Sequence, residues 1–255
     1  MADKSTSTLL DDAFDKLESG LTEEALSLFK TIIEIDSSIE EAWLTIGTIE
    51  AERGQLESAI SRIKNAISLA PDYSDAHYAL AKIYSHQGDL EESLRNCQSA
   101  IDSDVENVEA WLLMAGITGQ IRTPKEAENS CRRAISLAPN DPRPHVLLGN
   151  ALFNQGLIIE AENSYNFALS MDKSNEYALL GKGNCNISIA DYIQAEIFLD
   201  QALTINPKLI NSQLEIFDSY YATGNIEQAL FVIKNILKNA PNHTEALSRL
   251  SKLED

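Results

Sequence analysis

Four histidines and three cysteines are the side chains in this chain best suited to metal binding or nucleophilic catalysis. The cysteines, Cys97, Cys131 and Cys185, are widely separated and form no C-x-x-C pair, and no histidine lies in an H-E-x-x-H motif. Gly181-x-Gly183 does not continue to a third glycine, so it does not match a nucleotide-binding fingerprint. These spacings predict no metal site, no cofactor and no enzymatic activity.

Hydrogen bonding to a peptide backbone is a second chemistry that the sequence offers. Asn150 and Asn184 are 34 residues apart, and a side-chain amide both donates and accepts hydrogen bonds. Two amides at a regular spacing could therefore pin an extended peptide. Ordinary exposed polar residues explain the same pair equally well.

The composition is strongly acidic, with a net charge of −19 and a pI near 4.5. Residues 1–107 contain 8 Lys or Arg against 22 Asp or Glu, and residues 108–255 contain 12 against 17. Such a field repels phosphate, so nucleic acids and anionic membranes are poor partners. Plain solubility explains the acidity, and so does attraction of a basic partner.

No apolar run is long enough to span a membrane, and the first residues do not resemble a secretory signal. An odd number of scattered cysteines predicts no disulfide framework. We therefore expect a cytoplasmic protein without direct membrane insertion.

Glycines and prolines recur with a period of 34 residues, which predicts a repeat protein. The recurring glycines are Gly20, Gly54, Gly88, Gly156 and Gly224, and the recurring prolines are Pro71, Pro139, Pro207 and Pro241. Seven units follow, at residues 6–39, 40–73, 74–107, 108–141, 142–175, 176–209 and 210–243. Positions within each unit are numbered here from 1 to 34.

Each unit predicts two helices, because apolar residues fall at positions 4, 7, 8 and 11 and again at positions 20, 24 and 27. Position 15 holds the glycine that ends the first helix, and position 32 holds the proline that follows the second. Small residues at positions 8, 20 and 27 let the two helices approach closely. The predicted caps of the second helices are Asp89, Thr123, Asp191 and Asn225.

Two units depart from this pattern. The fourth has Arg122 at position 15, where glycine is usual. The sixth has Gly181 and Gly183 inside its first helix, which predicts either a weak unit or a hinge.

His77 and His145 share position 4 with Trp43 and Trp111, so the two histidines are interpreted as aromatic substitutes for tryptophan. The three cysteines are interpreted as small buried hydrophobic residues.

The motif Trp43-x2-Ile46-Gly47, with Gly54, Ala59-x3-Ile63-x2-Ala66 and Pro71, resembles the tetratricopeptide repeat. The resemblance covers residues 6–243. It implies an all-α, right-handed α-solenoid of seven helix-turn-helix repeats and a C-terminal capping helix at 244–254, in one domain spanning 1–255. It also implies that the first helices line a concave groove that binds peptides or partner helices.

Positions 2, 5, 9, 12 and 13 of the first helices are predicted to face this groove. Position 5 is apolar in every unit, which core packing explains in part, and position 12 is large in the last three units (Phe153, Ile187 and Tyr221). The predicted partner-binding residues are Leu44, Tyr78, Lys82, Leu112, Arg143, Asn150, Phe153, Tyr177, Leu180, Asn184, Leu214 and Tyr221. Glu41, Glu52, Asp75 and Glu109 form a predicted acidic flank.

The sequence thus predicts a non-catalytic scaffold or adaptor that binds a partner segment with an apolar anchor and a basic flank. The Lys and Asn set with which similar proteins clamp a chaperone's C-terminal carboxylate is missing, which disfavours that role. An alternative is weak self-association through the solenoid ends, because Leu9, Leu10 and Phe14 have no preceding unit to cover them.

Overall fold

A computed structural model describes residues 6–121 and 123–254 of the chain; residues 1–5, Asp255 and Arg122, with its predicted departure from the repeat, lie outside the described residues. The described ranges contain fifteen α-helices, one short 3-10 helix and no strand. No helix within them combines the length and the apolar character needed to cross a bilayer. The chain divides into two compact units, Met1–Ile121 (unit 1) and Arg122–Asp255 (unit 2).

The helix boundaries follow the predicted repeat. Unit 1 contains α1 (Thr6–Glu18), α2 (Thr22–Ile35), α3 (Glu40–Glu52), α4 (Leu56–Leu69), α5 (Ser74–Gln87), α6 (Leu90–Ser103) and α7 (Val108–Ile121). Unit 2 contains α8 (Pro124–Leu137), α9 (Pro142–Asn154), α10 (Ile158–Met171), α11 (Glu176–Ser188), α12 (Tyr192–Ile205), the 3-10 helix (Pro207–Leu209), α13 (Ile210–Ala222), α14 (Ile226–Asn239) and α15 (Thr244–Glu254). The predicted all-α class with seven helix pairs and a terminal helix is confirmed, and one continuous domain stays a prediction.

The turn between the two helices of a repeat requires a left-handed residue at position 15. All five recurring glycines have φ between 76° and 81°. The amide that follows the glycine bonds back to the carbonyl five residues earlier, as from Asp89 to Tyr84 at 2.9 Å. The sixth repeat makes the same turn with Ala190 at φ 59°, and its Asp191–Asn186 bond is also 2.9 Å. Ala190 therefore adopts a strained conformation that glycine adopts without cost.

Three of the four predicted caps are confirmed. The side chains of Asp89, Thr123 and Asp191 each accept a hydrogen bond from the amide three residues later. The prediction for Asn225 is wrong, because its side chain makes no cap bond and its Nδ2 donates to Thr223 Oγ1 at 2.9 Å. A neighbouring hydroxyl thus competes successfully with the helix end for the Asn225 amide.

The small residues at position 8 permit the two helices of a repeat to pack closely. A Cβ added to Gly47 would lie 2.7 Å from Ile63 Cγ1 and 3.1 Å from the Ala59 carbonyl oxygen. A Cβ on Gly183 would lie 2.5 Å from Leu199 Cδ2. Since real Cβ atoms do not approach this closely, a larger residue at either place would force the neighbouring side chain to shift.

Gly181, the other glycine within the first helix of the sixth repeat, is explained by a different contact. Tyr165 of α10 is fully buried, and its ring fills the space of the missing Cβ at Gly149 of α9 and at Gly181 of α11. The Tyr165 hydroxyl donates to Asn150 Oδ1 at 2.7 Å. Gly181 therefore accommodates a large aromatic ring, which accounts for a residue that the sequence left as a weak point or a hinge.

Exchanging the residues at two equivalent turns isolates the cost of the left-handed conformation. We expect Ala190→Gly to raise the free energy of unfolding by about 1 kcal/mol and Gly156→Ala to lower it by about 1 kcal/mol. No atom lies within 4 Å of a Cβ built on Gly156, so the second change introduces no clash. Urea denaturation followed by circular dichroism measures both, and two changes of the same sign would contradict the assignment.

The hinge hypothesis for α11 is tested by Gly181→Ala. The added methyl must displace the Tyr165 ring, so we expect a loss of about 2 kcal/mol. Gly116→Ala is the matched control, because Gly116 lies within α7 with open space around it, and we expect it to stabilise the helix by up to about 1 kcal/mol. In hydrogen exchange of the unaltered protein, α11 amides should be as protected as those of α9, and faster exchange confined to α11 would support a hinge.

Candidate functional site

The first helices of unit 2 present several of the predicted binding residues to solvent. Arg143 and Asn150 on α9 are exposed and Phe153 is half-buried. Tyr177 on α11 and Tyr221 on α13 are 53% and 41% exposed. Aromatic side chains with this much free surface can contact a partner.

Several other predicted groove residues are buried, and the prediction that they face solvent is wrong. They are Leu44, Leu112, Leu180, Leu214 and Asn184. Leu44 packs with α5 residues, and Leu180 and Leu214 belong to the main core cluster of unit 2.

The physical reason is helix geometry. Positions 5 and 8 lie about 60° apart around a helix with 100° per residue, so position 5 borders the core face and is covered by neighbouring helices, as Leu44 is by residues of α4 and α5. Position 12 lies on the same border, and Ile187 at that position is fully buried. The solvent-facing stripe is therefore narrower than the sequence predicted.

The side chain of Tyr221 is restrained by a stacking contact. Its ring stacks on Phe217, with centroids 5.9 Å apart and planes 10° from parallel, and Phe217 itself is buried. Because the stack restricts the Tyr221 side chain before any partner arrives, less rotamer entropy is lost on contact.

The two amides predicted to act together have different surroundings. Asn150 Oδ1 accepts the Tyr165 hydroxyl, which orients the exposed amide nitrogen of Asn150. Asn184 is buried. Burial also raises the pKa of Tyr165, which keeps its hydroxyl protonated as the donor. A backbone contact from this pair would thus come from Asn150.

Arg143 is neutralised locally. Its guanidinium donates to both carboxylate oxygens of Asp141, with Nη2–Oδ2 at 2.7 Å. Partial burial of Asp141 opposes ionisation, but the hydrogen bonds from Arg143 outweigh it and lower the pKa of that carboxyl. Arg143 therefore adds little net positive charge to this surface.

The predicted acidic flank lies in unit 1. Glu41, Glu52 and Asp75 are exposed and Glu109 is half-buried. Burial, followed by the charges of Glu41, Asp75 and Glu40, raises the pKa of Tyr73 to about 12. The local field of α3 and α5 is thus negative enough to affect a neighbouring titration.

Tyr78 and Lys82, on the same side of α5, contact each other. The Lys82 ammonium lies 5.7 Å from the centroid of the half-buried Tyr78 ring, in a cation–π arrangement. Lys82 remains exposed, so unit 1 presents one positive charge beside the acidic flank.

The histidines and cysteines have the structural roles that the sequence predicted. The ring nitrogens of Trp43 and Trp111 donate to carbonyls six residues earlier, and His77 Nε2 lies 2.9 Å from the equivalent Pro71 carbonyl. His145 is buried against Phe167, with ring centroids 4.4 Å apart.

Cys97, Cys131 and Cys185 are buried, and burial raises the pKa of each thiol to about 12. A protonated thiol is a poor nucleophile. In residues 6–121 and 123–254, no three His, Cys, Asp or Glu side chains cluster as a metal site would need.

A group of exposed isoleucines on the second helices was missed. Ile159 on α10 and Ile193 on α12 are each 75% exposed; Ile197, one turn after Ile193 on α12, and Ile189, in the turn before α12, are also exposed. The available sequence signal was position 18, which is charged in the other five repeats (Glu23, Glu57, Glu91, Lys125 and Glu227).

Comparison with known proteins identifies the repeat. The tetratricopeptide-repeat family model matches residues 50–117. A tetratricopeptide-repeat protein from Parabacteroides merdae superposes with a TM-score of 0.69 at 16% identity, covering 98% of this chain and 99% of that one. YrrB, a tetratricopeptide-repeat protein with an unusual peptide-binding site, gives 0.59 at 21% identity over 70% and 92%.

The Cut9–Hcn1 assembly of the APC/C gives a TM-score of 0.69 at 18% identity, covering 95% of this chain and 48% of the matched one. A search of curated protein sequences found no match. The family model shows tetratricopeptide repeats at residues 50–117, and the solved structures show that the chain shares the fold of tetratricopeptide-repeat proteins.

Proposed function

We propose that this protein is a non-catalytic scaffold that binds a segment of a partner protein on its first helices. Tetratricopeptide-repeat folds generally mediate protein–protein interaction, and YrrB has a peptide-binding site. The main support from this chain is the exposure of Tyr177 and Tyr221 on α11 and α13. Tyrosine offers apolar area, a hydrogen-bonding hydroxyl and few rotamers, which is why it is common at binding hot spots.

The partner segment that fits these residues has an apolar or aromatic anchor. Phe153 supplies a half-buried apolar surface and Asn150 supplies an oriented amide donor. The buried Leu180 and Leu214 belong to the core of unit 2 and make no part of the proposed contact. Lys82, Tyr78 and Arg143 are proposed to make additional contacts with the partner segment.

A basic flank on the partner is the second part of the proposal. The exposed carboxylates of Glu41, Glu52 and Asp75 in unit 1 attract cations. The half-buried Glu109 on α7 adds a fourth negative charge to unit 1. Attraction between exposed charges is screened by salt, so this part should act mainly on the association rate.

A cytoplasmic location completes the proposal. Three buried cysteines that remain free thiols are typical of proteins from a reducing compartment.

Self-association through the terminal helices is a second candidate. Leu9, Leu10 and Phe14 of α1 are half-buried, and Leu247 of α15 is 45% exposed. Apolar surface at a terminal repeat favours end-to-end contact, since capping repeats normally present polar outer faces.

The scaffold proposal is tested by Tyr177→Ser with Tyr221→Ser in the full chain. Partners captured from native lysate are quantified by mass spectrometry, and a specific partner should fall about tenfold because two aromatic contacts are lost. Ile35→Ser with Ile205→Ser is the matched control, since both isoleucines are exposed and lie at the ends of α2 and α12. Equal recovery of every partner by the tyrosine variant would refute binding through these first helices.

A further inference from the structure

The second residue of each second helix in unit 2 forms a row of four exposed side chains. In chain order they are Lys125 on α8, Ile159 on α10, Ile193 on α12 and Glu227 on α14, all at position 18. Because they occupy one position in successive repeats, they follow one another along the same side of unit 2. We call them the position-18 row.

The two central isoleucines are exceptional for this position. The equivalent residues in unit 1 are Glu23, Glu57 and Glu91, all of them exposed. Position 18 is therefore normally hydrated, and neither isoleucine is required by packing within the repeat. Two adjacent repeats expose isoleucine at 75% each, and Ile189 and Ile197 extend the apolar surface. Exposed apolar side chains bordered by charges are typical of an interaction surface.

The order of the row, basic–apolar–apolar–acidic, is complementary to itself. We propose that the position-18 row is the contact surface between two copies of this chain, arranged with their rows antiparallel. In this arrangement Ile159 packs on Ile193 of the second copy, and Lys125 faces Glu227 of the second copy. Each contact occurs twice, as in any two-fold interface.

Charge selects the antiparallel arrangement over the parallel one. A two-fold axis in the interface can run along the row or across it. An axis along the row would place Lys125 on Lys125 and Glu227 on Glu227, and both like-charge pairs repel. An axis across the row places opposite charges together and still joins the isoleucines.

Lys125 has hydrogen-bonding capacity left for this contact. Its ammonium lies 3.0 Å from Glu128 Oε2, but the lysine side chain is 66% exposed. The Glu128 carboxylate also accepts hydrogen bonds from Arg132 Nε at 2.9 Å and from Gln155 Nε2 at 3.1 Å. Since an ammonium has three donors and Glu128 has two other partners, Lys125 can bind a second carboxylate.

The distribution of net charge places self-contact in unit 2. Residues 1–121 contain 8 Lys or Arg against 23 Asp or Glu, whereas residues 122–255 contain 12 against 16. Two copies therefore repel strongly through their N-terminal parts and only weakly through their C-terminal parts. Two isoleucines and two charged side chains from each copy make a small contact, which predicts a weak, concentration-dependent dimer.

The apolar contact is tested by Ile159→Ser with Ile193→Ser. Sedimentation equilibrium of the full chain at low salt should show a monomer–dimer equilibrium, and the variant should reduce the association constant at least tenfold. The control Ile35→Ser with Ile205→Ser should leave it unchanged. A monomer at every concentration, or dimers that persist in the Ile159/Ile193 variant, would overturn the proposal, and the second result would point to the terminal helices.

The antiparallel register is tested by charge exchange. Lys125→Glu and Glu227→Lys should each weaken dimerisation about tenfold, because every opposite-charge pair becomes a like-charge pair. An equimolar mixture of the two variants should form heterodimers with normal affinity, since both pairs are attractive again. Lys125→Gln replaces Lys125→Glu if the loss beside Glu128 unfolds α8; its mixture with Glu227→Lys should then form heterodimers more readily than Glu227→Lys forms homodimers, because one attractive pair replaces two repulsive ones.

Dimerisation that ignores all of these charge changes would overturn the antiparallel contact. A chain that stays monomeric but captures a different protein through Ile159 and Ile193 would replace the second copy with another partner. Loss of lysate partners in the Tyr177/Tyr221 variant with an unchanged dimer would leave this inference intact, so its failure is separable from that of the proposed scaffold function.

Discussion

The close approach of the two helices in each repeat is the constraint on which the rest of the structure depends. Gly47 and Gly183 leave no room for a Cβ against Ile63 and Leu199 of the paired helices. Ser93 occurs where alanine is usual and satisfies its hydroxyl by donating to the Ala81 carbonyl at 2.7 Å. A small residue at the crossing thus decides how near the helices come, and that distance decides which other positions are covered.

The angle of a position around its helix therefore decides whether its side chain is buried or exposed. Positions near the crossing, such as those of Leu180 and Leu214, are covered by the adjacent helices even though they look like groove residues in sequence. Position 2, further around the helix, remains open, as Arg143 and Tyr177 show. The exposed part of the first helices in unit 2 is therefore a narrow stripe of polar and aromatic side chains.

The sequence predicted what depends on local geometry and on periodic spacing. The turn glycines, the helix boundaries, three caps, the buried cysteines and the role of His77 beside Trp43 and Trp111 all follow from position within a repeat. The burial of Asn184 did not follow, because Asn150 at the same position of the preceding repeat is exposed and position alone does not separate the two. The need for Gly181 did not follow either, because it is set by Tyr165 in another repeat.

The surface residues were the hardest to interpret, since their free energies are small and their types vary. An exposed isoleucine means little by itself, because folded proteins expose much apolar area. Ile159 and Ile193 become informative when they are compared with the same position in the other repeats, where a charged residue is present each time. In a repeat protein each copy is an internal reference for the others, so a departure at an exposed position identifies a surface under a different constraint, just as Gly181 identifies one in the core.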